Sequence, residues 1–419
     1  MTDIKEKVLK IAKNVKEASY KLANIDSTTK DNILRDIIKK IKSNTDYILK
    51  ENQKDIDYAT SLGLSTAVLD RLKLTPKRIE AMIASIEELI KLKDPIGEII
   101  NLQKRPNGLL IGKMRVPLGV ICVIYEARPN VTTDAASICL KSSNALILRG
   151  GVEAINSNQA LAKLIQDALV EHSLPKECVE FISIPEREVV THLAKLPQYI
   201  DMMILRGGKG LLEAIGKEAT VNIMYHGEGN CHVYVAEDAD LKMAEEIVFN
   251  AKVQRPGVCN AAETLLVDEK IAEKFLPKMI SRLTKANVEI RGCQRTKQIV
   301  KDIKSATEED WYKEYLDLIL AVKVVKDIEE AISHINKYGS SHSDAIVTSS
   351  YSKAWKFVKE VDSSSVYVNA STRFTDGYEF GLGGEIGIST QKLHARGPMS
   401  VNELTTTKFI IFGNGHTRS

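Results

Sequence analysis

Toward the N-terminus apolar residues return every three to four positions: Val8, Ile11, Ala12 and Val15, then Ile33, Ile37 and Ile41. That period is one face of a helix, so Ile4 to about Leu92 reads as mostly helical, with N-caps at Asp26-Ser27 and Ser65-Thr66 and a stop at Gly63. The run Lys39-Lys40-Ile41-Lys42 is then the solvated side of such a helix. At Val116 the pattern changes. Val116-Pro117-Leu118-Gly119-Val120-Ile121-Cys122-Val123-Ile124-Tyr125 is too continuously apolar for a half-exposed strand and predicts one strand buried on both faces. Beyond it, candidate strands at Ala145 to Leu148, Glu180 to Ile184, Met202 to Leu205, Val221 to Met224 and His232 to Val235 alternate with amphipathic stretches such as Ala154 to Leu169 and Glu188 to Leu196.

A second alternating series follows. Helices at Leu241 to Ala251, Ile271 to Leu283, Ile328 to Ile335 and Lys353 to Val361 separate strands at Thr264 to Val267, Leu318 to Val325, Ala345 to Thr348 and Val366 to Val368. Two α/β domains with parallel sheets are implied, their ligands at the carboxyl ends of the strands. The glycines of His226-Gly227-Glu228-Gly229-Asn230 mark a hinge near Tyr225 to Gly229. The β-rich tail Lys408 to Phe412 suits an edge strand, and an edge of that length is expected to be covered by another subunit.

Charge and cysteine usage narrow the function. A formal net charge of +3, with Lys and Glu intermixed, does not point to a nucleic-acid partner. No stretch approaches the roughly 20 apolar residues of a membrane span, and the first 30 residues lack the apolar run of a signal peptide. The six cysteines, at 122, 139, 178, 231, 259 and 293, and the eight histidines form no metal spacing, so no metal is expected. Free thiols fit a reducing cytoplasm.

One thiol stands apart. In Gln254-Arg255-Pro256-Gly257-Val258-Cys259-Asn260-Ala261, Pro256 and Gly257 end a helix and hold Cys259 on a turn, where a thiolate can attack an acyl carbon. The competing reading is a buried small hydrophobe. Arg206-Gly207-Gly208-Lys209-Gly210 joins a strand to a helix and suits a pyrophosphate, or is a plain tight turn. Arg149-Gly150-Gly151 repeats that arrangement; the arginine faces a dinucleotide or is a solvated loop residue. Asn130, on the turn after the long strand, either donates to an oxyanion or caps the next helix. The polar run Asn369 to Pro398 holds Arg373, Asp376, Glu379, Glu385, Lys392, His394 and Arg396 among six glycines and is too long to be an inert loop. His394 or His226 could serve as a general base, or each as a hydrogen-bonded structural residue.

Read jointly, Val116 to Asn130, Arg206 to Gly210, Gln254 to Ala261 and Val368 to Pro398 resemble the gamma-glutamyl phosphate reductase family of the aldehyde dehydrogenase superfamily. The last stretch, with its Asn-Ala-Ser-Thr-Arg-Phe-Thr-Asp-Gly and Gly-Ile-Ser-Thr-Gln-Lys-Leu-His-Ala-Arg-Gly-Pro runs, is the most specific. The resemblance implies an aldehyde dehydrogenase-like α/β fold: a Rossmann-type cofactor domain with a helical N-terminal segment over 1–228, a catalytic domain over 229–370, and a return at 371–419. A small β oligomerisation extension takes part of 115–130 and the tail strand. It also implies Cys259 as the catalytic thiol and Asn130 with the cysteine N–H as the oxyanion hole. Arg149, Gly207, Gly208 and Lys209 fall on the NADPH side, and Glu314 on the nicotinamide ribose. Arg373 is nominated for the grip on the substrate's α-carboxylate and amine. Gly384 and Val152 depart from the family's usual Ala and Ser, which touches cofactor preference rather than the reaction.

The expected reaction is reduction of L-glutamyl 5-phosphate by NADPH to L-glutamate 5-semialdehyde and phosphate through a thioacyl cysteine, the second step of proline synthesis from glutamate. A homo-oligomer, dimer or tetramer, is expected. So is a separate glutamate 5-kinase as source of the acyl phosphate and possible associate. The rivals are a dehydrogenase that releases the free acid without needing phosphate, and a non-catalytic partner of the kinase whose thiol reacts no faster than the other five.

Overall fold

A computed structural model describes residues 2–207, 209–225 and 227–418, and the chain divides into two compact units. The first comprises Met1–Tyr225, Gly381–Gly387 and Pro398–Ser419; the second comprises His226–Phe380 and Ile388–Gly397.

The first unit begins with helices Thr2–Leu22, Ser27–Ser43, Thr45–Ser61, Thr66–Leu72 and Pro76–Lys91. Their ends follow local chemistry. Asp26 accepts the Thr29 N–H at 2.8 Å, and Ser65 accepts that of Val68 at 3.4 Å, each satisfying a donor that the first helical turn leaves open. Gly63 takes the left-handed φ of +66° that closes the third helix. The apolar stripe Ile33, Ile37 and Ile41 is fully buried. A later helix, Ile155–Glu171, has no capping side chain of its own, and Asp55 supplies one from the third helix. Its carboxylate accepts the N–H groups of Asn156 at 3.1 Å and Ser157 at 2.8 Å, tying the helical segment to the sheet layer.

That sheet has five parallel strands in the order Val179–Phe181, Ala145–Arg149, Val120–Tyr125, Met202–Arg206, Ile223–Met224. The order reverses between Val120–Tyr125 and Met202–Arg206, so the crevice for a ligand opens beyond the carboxyl ends of these two strands.

The run from Val116 to Tyr125 is not one strand. Leu110–Pro117 lies in a separate three-stranded antiparallel sheet, between Ile99–Lys104 and Thr405–Phe412, and only Val120–Tyr125 enters the buried parallel sheet. Pro117 lacks the N–H a ladder needs, and Gly119 turns the chain at φ +129°. Any side chain at Gly119 would place its Cβ 2.2 Å from an Asp201 carboxylate oxygen. The tail strand does lie at an edge, as its composition implied, with Phe409, Ile411 and Phe412 exposed.

The second unit is built on seven parallel strands in the order Lys304–Ser305, Glu289–Gly292, Ile319–Val325, Ala262–Asp268, Cys231–Val235, Ser343–Val347, Ser365–Val368. Alternate residues feed two cores. Val233, Leu265 and Val322 pack under helices Leu241–Val253 and Glu269–Lys285, while Tyr234, Leu266 and Ile346 pack under Ile328–Tyr338 and Tyr351–Glu360. Both faces are covered, which is why these strands read as continuous apolar runs.

The tail crosses between the units more often than the single return expected at residue 371. Residues 371–380 and 388–397 belong with the second unit: Asn260 donates to the Thr375 carbonyl at 2.8 Å, and Lys392 and Arg396 pair with Asp362 at 2.6 and 2.8 Å. Gly381–Gly387 belongs with the first, where Ser85 donates to the Gly383 carbonyl at 3.1 Å.

Candidate active site

In the first unit the named residues gather around the switch in strand order. Asn130 opens helix Asn130–Lys141, but it is not the cap; that position is Pro129, and the Asn130 amide donates instead to Asp134 at 2.9 Å. The loop before it is pinned where the Ala127 N–H, at a left-handed φ of +41°, donates to Glu153 at 2.6 Å. Arg149 ends its strand and is buried, not a solvated loop residue. It donates to the Gly150 and Pro185 carbonyls at 2.6 and 2.8 Å. Its Nε, and the Nδ2 of nearby Asn158, are buried without a hydrogen-bond partner among the described residues. Gly150 allows this packing, since a Cβ there would stand 2.2 Å from Asn158 Nδ2.

Gly207 follows strand Met202–Arg206, Gly208 lies outside the described residues, and the Lys209 backbone opens helix Lys209–Gly216. Arg206 stands 3.9 Å from Glu385. Buried donors left over, a position closed to any Cβ and a helix start at the carboxyl ends of parallel strands together fit a polar nucleotide.

In the second unit Cys259 lies on the loop between helix Leu241–Val253 and strand Ala262–Asp268 and is half-buried. Four other cysteines are buried. Burial pushes the thiols of Cys122, Cys139 and Cys231 up and that of Cys178 up to about 12, which removes their thiolate character near neutrality. Cys293 is half-buried too, but it lies 3.3 Å from the Thr296 hydroxyl and accepts the Val324 N–H at 3.5 Å.

The thiol loop is held from several sides. The Cys259 carbonyl accepts the Cys231 S–H at 3.2 Å, and a Cβ on Gly229 would fall 1.9 Å from the same oxygen. Arg373 donates through Nε to Gln254 at 2.9 Å and through Nη1 to the Asn260 side chain, spanning the loop. Burial lowers its pKa, with Arg255 acting in the same direction and Cys259 against it. Glu314 follows a short 3-10 turn and accepts the Gly229 N–H at 2.9 Å. His394 is exposed at φ +67°, and His226 lies outside the described residues.

Sequence reasoning missed Lys252 and Glu263, a fully buried ion pair at 2.6 Å whose members flank the thiol loop. The available signal was a Glu in the mostly apolar run Ala261-Ala262-Glu263-Thr264-Leu265-Leu266. Among the described residues no cluster of three or more His, Cys, Asp or Glu could hold a metal, and no helix is long and apolar enough to cross a membrane.

Residues 3–318 and 311–410 match the aldehyde dehydrogenase family. A gamma-glutamyl phosphate reductase of Clostridium botulinum (strain Eklund 17B / Type B) is 57% identical over 99% of this chain and 100% of its own length. One from Thermodesulfovibrio yellowstonii is 55% identical over 99% of this chain and 100% of its own. The crystal structure of gamma-glutamyl phosphate reductase from Thermotoga maritima superposes with a TM-score of 0.95 at 49% identity, covering 98% of this chain and 100% of that one.

Proposed function

The chain belongs to the aldehyde dehydrogenase family and, within it, to the gamma-glutamyl phosphate reductases, and from that premise we propose how its own residues carry the reaction. The reaction is reduction of L-glutamyl 5-phosphate to L-glutamate 5-semialdehyde and phosphate, a step of proline biosynthesis.

Cys259 attacks the acyl carbon as thiolate, the carbonyl oxygen takes the negative charge, and Asn130 and the Cys259 N–H are assigned to that oxyanion. Collapse expels phosphate and leaves a thioester on sulfur. NADPH, when bound, would supply the hydride that reduces this carbon. The resulting thiohemiacetal breaks its C–S bond, releasing the aldehyde and regenerating the thiolate.

Arg149 and Asn158, with donors to spare, and the 207–209 turn are assigned to the nucleotide, and Glu314 to the nicotinamide ribose. Arg373 is assigned to the substrate's carboxylate, exercised from a side chain already fixed across the thiol loop. The observation that carries the mechanism is the seat of Cys259: half-buried on a braced turn, where four of the other thiols are buried and protonated.

A second copy of the chain covers the Thr405–Phe412 edge, whose exposed Phe409, Ile411 and Phe412 support that reading. A separate glutamate 5-kinase supplies the acyl phosphate, in functional association with this enzyme, in a cytoplasm reducing enough for six free cysteines.

The test is spectroscopic: glutamate semialdehyde should reduce NADP only when phosphate or arsenate is present, and iodoacetamide should abolish this by modifying Cys259. Phosphate-independent reduction yielding free glutamate would overturn the assignment in favour of a hydrolytic dehydrogenase.

A further inference from the structure

Lys252 and Glu263 stand just before and just after the thiol loop, and their 2.6 Å ion pair has no solvent exposure on either side chain. Burial pushes the Glu263 carboxyl up to about 7 and the Lys252 ammonium down, so each charge persists there because of the other. Buried ion pairs often stabilise a fold no more than apolar pairs of similar volume, which leaves stability a weak reason for this arrangement.

The second carboxylate oxygen of Glu263 is also used. It accepts the N–H of Leu316 at 3.2 Å, and Leu316 sits at φ +54°, a left-handed conformation that a leucine adopts when neighbours impose it. Two residues earlier Glu314 accepts the Gly229 N–H at 2.9 Å, and Gly229 lies against the Cys259 carbonyl too closely for any Cβ. One carboxylate thus touches both the stem of the thiol loop and the segment that carries Glu314.

We infer that Lys252 and Glu263 are positioning residues: the pair clips the thiol loop shut, and through Leu316 it fixes the Glu314 carboxylate in register with Cys259. The inference rests on the roles proposed above for Cys259 and Glu314. The clip and the Leu316 link are separable in their effects. Losing the clip loosens the thiol; losing the link loosens Glu314 as well.

Two double variants in the full-length enzyme test this. Lys252→Met with Glu263→Gln removes the ion pair but leaves an amide oxygen for the Leu316 N–H. Lys252→Met with Glu263→Leu removes both. Each is purified and its fold checked by circular dichroism and thermal melting. The iodoacetamide rate at Cys259 is then read by peptide mass spectrometry, with kcat and the KM for NADPH from steady-state assays.

The Met/Gln variant should alkylate at a clearly altered rate and lose about tenfold or more in kcat with its KM for NADPH near wild type. The Met/Leu variant should lose as much in kcat and raise the KM for NADPH about fivefold or more. If the Met/Leu variant fails to fold, the Met/Gln variant decides the matter. A folded Met/Gln variant with wild-type alkylation rate and kcat overturns the inference. The alkylation rate needs no turnover, so it stays informative even if Cys259→Ala were found to keep activity, a result that would sink the thioester mechanism instead.

Discussion

In the five-stranded sheet Asn130, assigned to the oxyanion, and Arg149 and Gly207, assigned to the nucleotide, stand at the carboxyl ends of strands, whereas in the seven-stranded sheet the thiol, Gly229 and Glu314 stand at the amino ends. Asn130 and Gly207 follow strands Val120–Tyr125 and Met202–Arg206, and Arg149 ends strand Ala145–Arg149. Gly229, Cys259 and Glu314 precede strands Cys231–Val235, Ala262–Asp268 and Ile319–Val325. On the assignments proposed above, the rule that ligands bind at carboxyl ends would hold for one sheet and not for the other.

The physical consequence is a difference in building material. At carboxyl ends the following helices offer backbone N–H groups and a partial positive charge, so glycines suffice to let a polar ligand approach. Cys259 follows the end of a helix instead, where no such field favours a thiolate. Arg373 reaches across its loop, and the buried Lys252–Glu263 pair closes the stem.

If the thiol side depends on interlocked side chains and the nucleotide side on backbone together with the spare donors of Arg149 and Asn158, substitutions should separate the two, and the largest effect belongs to the nucleophile. Cys259→Ala should lower phosphate-dependent turnover by about a thousandfold or more while the melting profile stays close to wild type. Glu263→Ala leaves Lys252 buried and unpaired; urea unfolding should show a loss of about 3–5 kcal/mol. Asn130→Ala should cost on the order of a hundredfold in kcat with little effect on the KM for NADPH, measured at saturating substrate.

Acid sharpens the contrast further. Burial works against the Asp310 carboxylate, but the Thr307 N–H, Arg291 and Tyr315 outweigh it and hold its pKa down to about 2. A depressed carboxylate pKa stabilises the fold above the unfolded value of 3.8 and ceases to do so as pH falls through about 2. Asp310→Asn should therefore lose about 2 kcal/mol at neutral pH, and the gap to wild type should close between about pH 4 and pH 2. Smallest is the nucleotide side: Arg149→Met should raise the KM for NADPH about tenfold and leave kcat almost unchanged, because that arginine takes no part in the bond changes at sulfur.

Much of this was legible in the residues themselves. The caps at Asp26 and Ser65, the Gly63 stop, the fully buried run Val120–Tyr125 and the edge strand at the tail all express local chemistry, and each lies where that chemistry indicates. The thiol loop could be read for the same reason, since Pro256 and Gly257 mark its turn. Contacts distant along the chain could not be read this way. Nothing local at Lys252 announces Glu263 eleven positions on, and nothing at Glu314 announces Gly229. The break at Pro117 and Gly119 was masked by apolar neighbours on both sides, because a continuous apolar pattern does not say which sheet a strand joins. The tail's repeated crossings are marked by contacts between residues far apart in the chain, such as Asn260 with the Thr375 carbonyl and Ser85 with the Gly383 carbonyl, which composition cannot locate.

The most direct test of the central claim is to trap the acyl group. Glutamyl phosphate, generated by a glutamate kinase and added to this enzyme without NADPH, should leave one glutamyl group per chain, and peptide mass spectrometry should place it on Cys259. Recovery of that group on Cys293, on any other side chain, or on none would contradict covalent catalysis at Cys259.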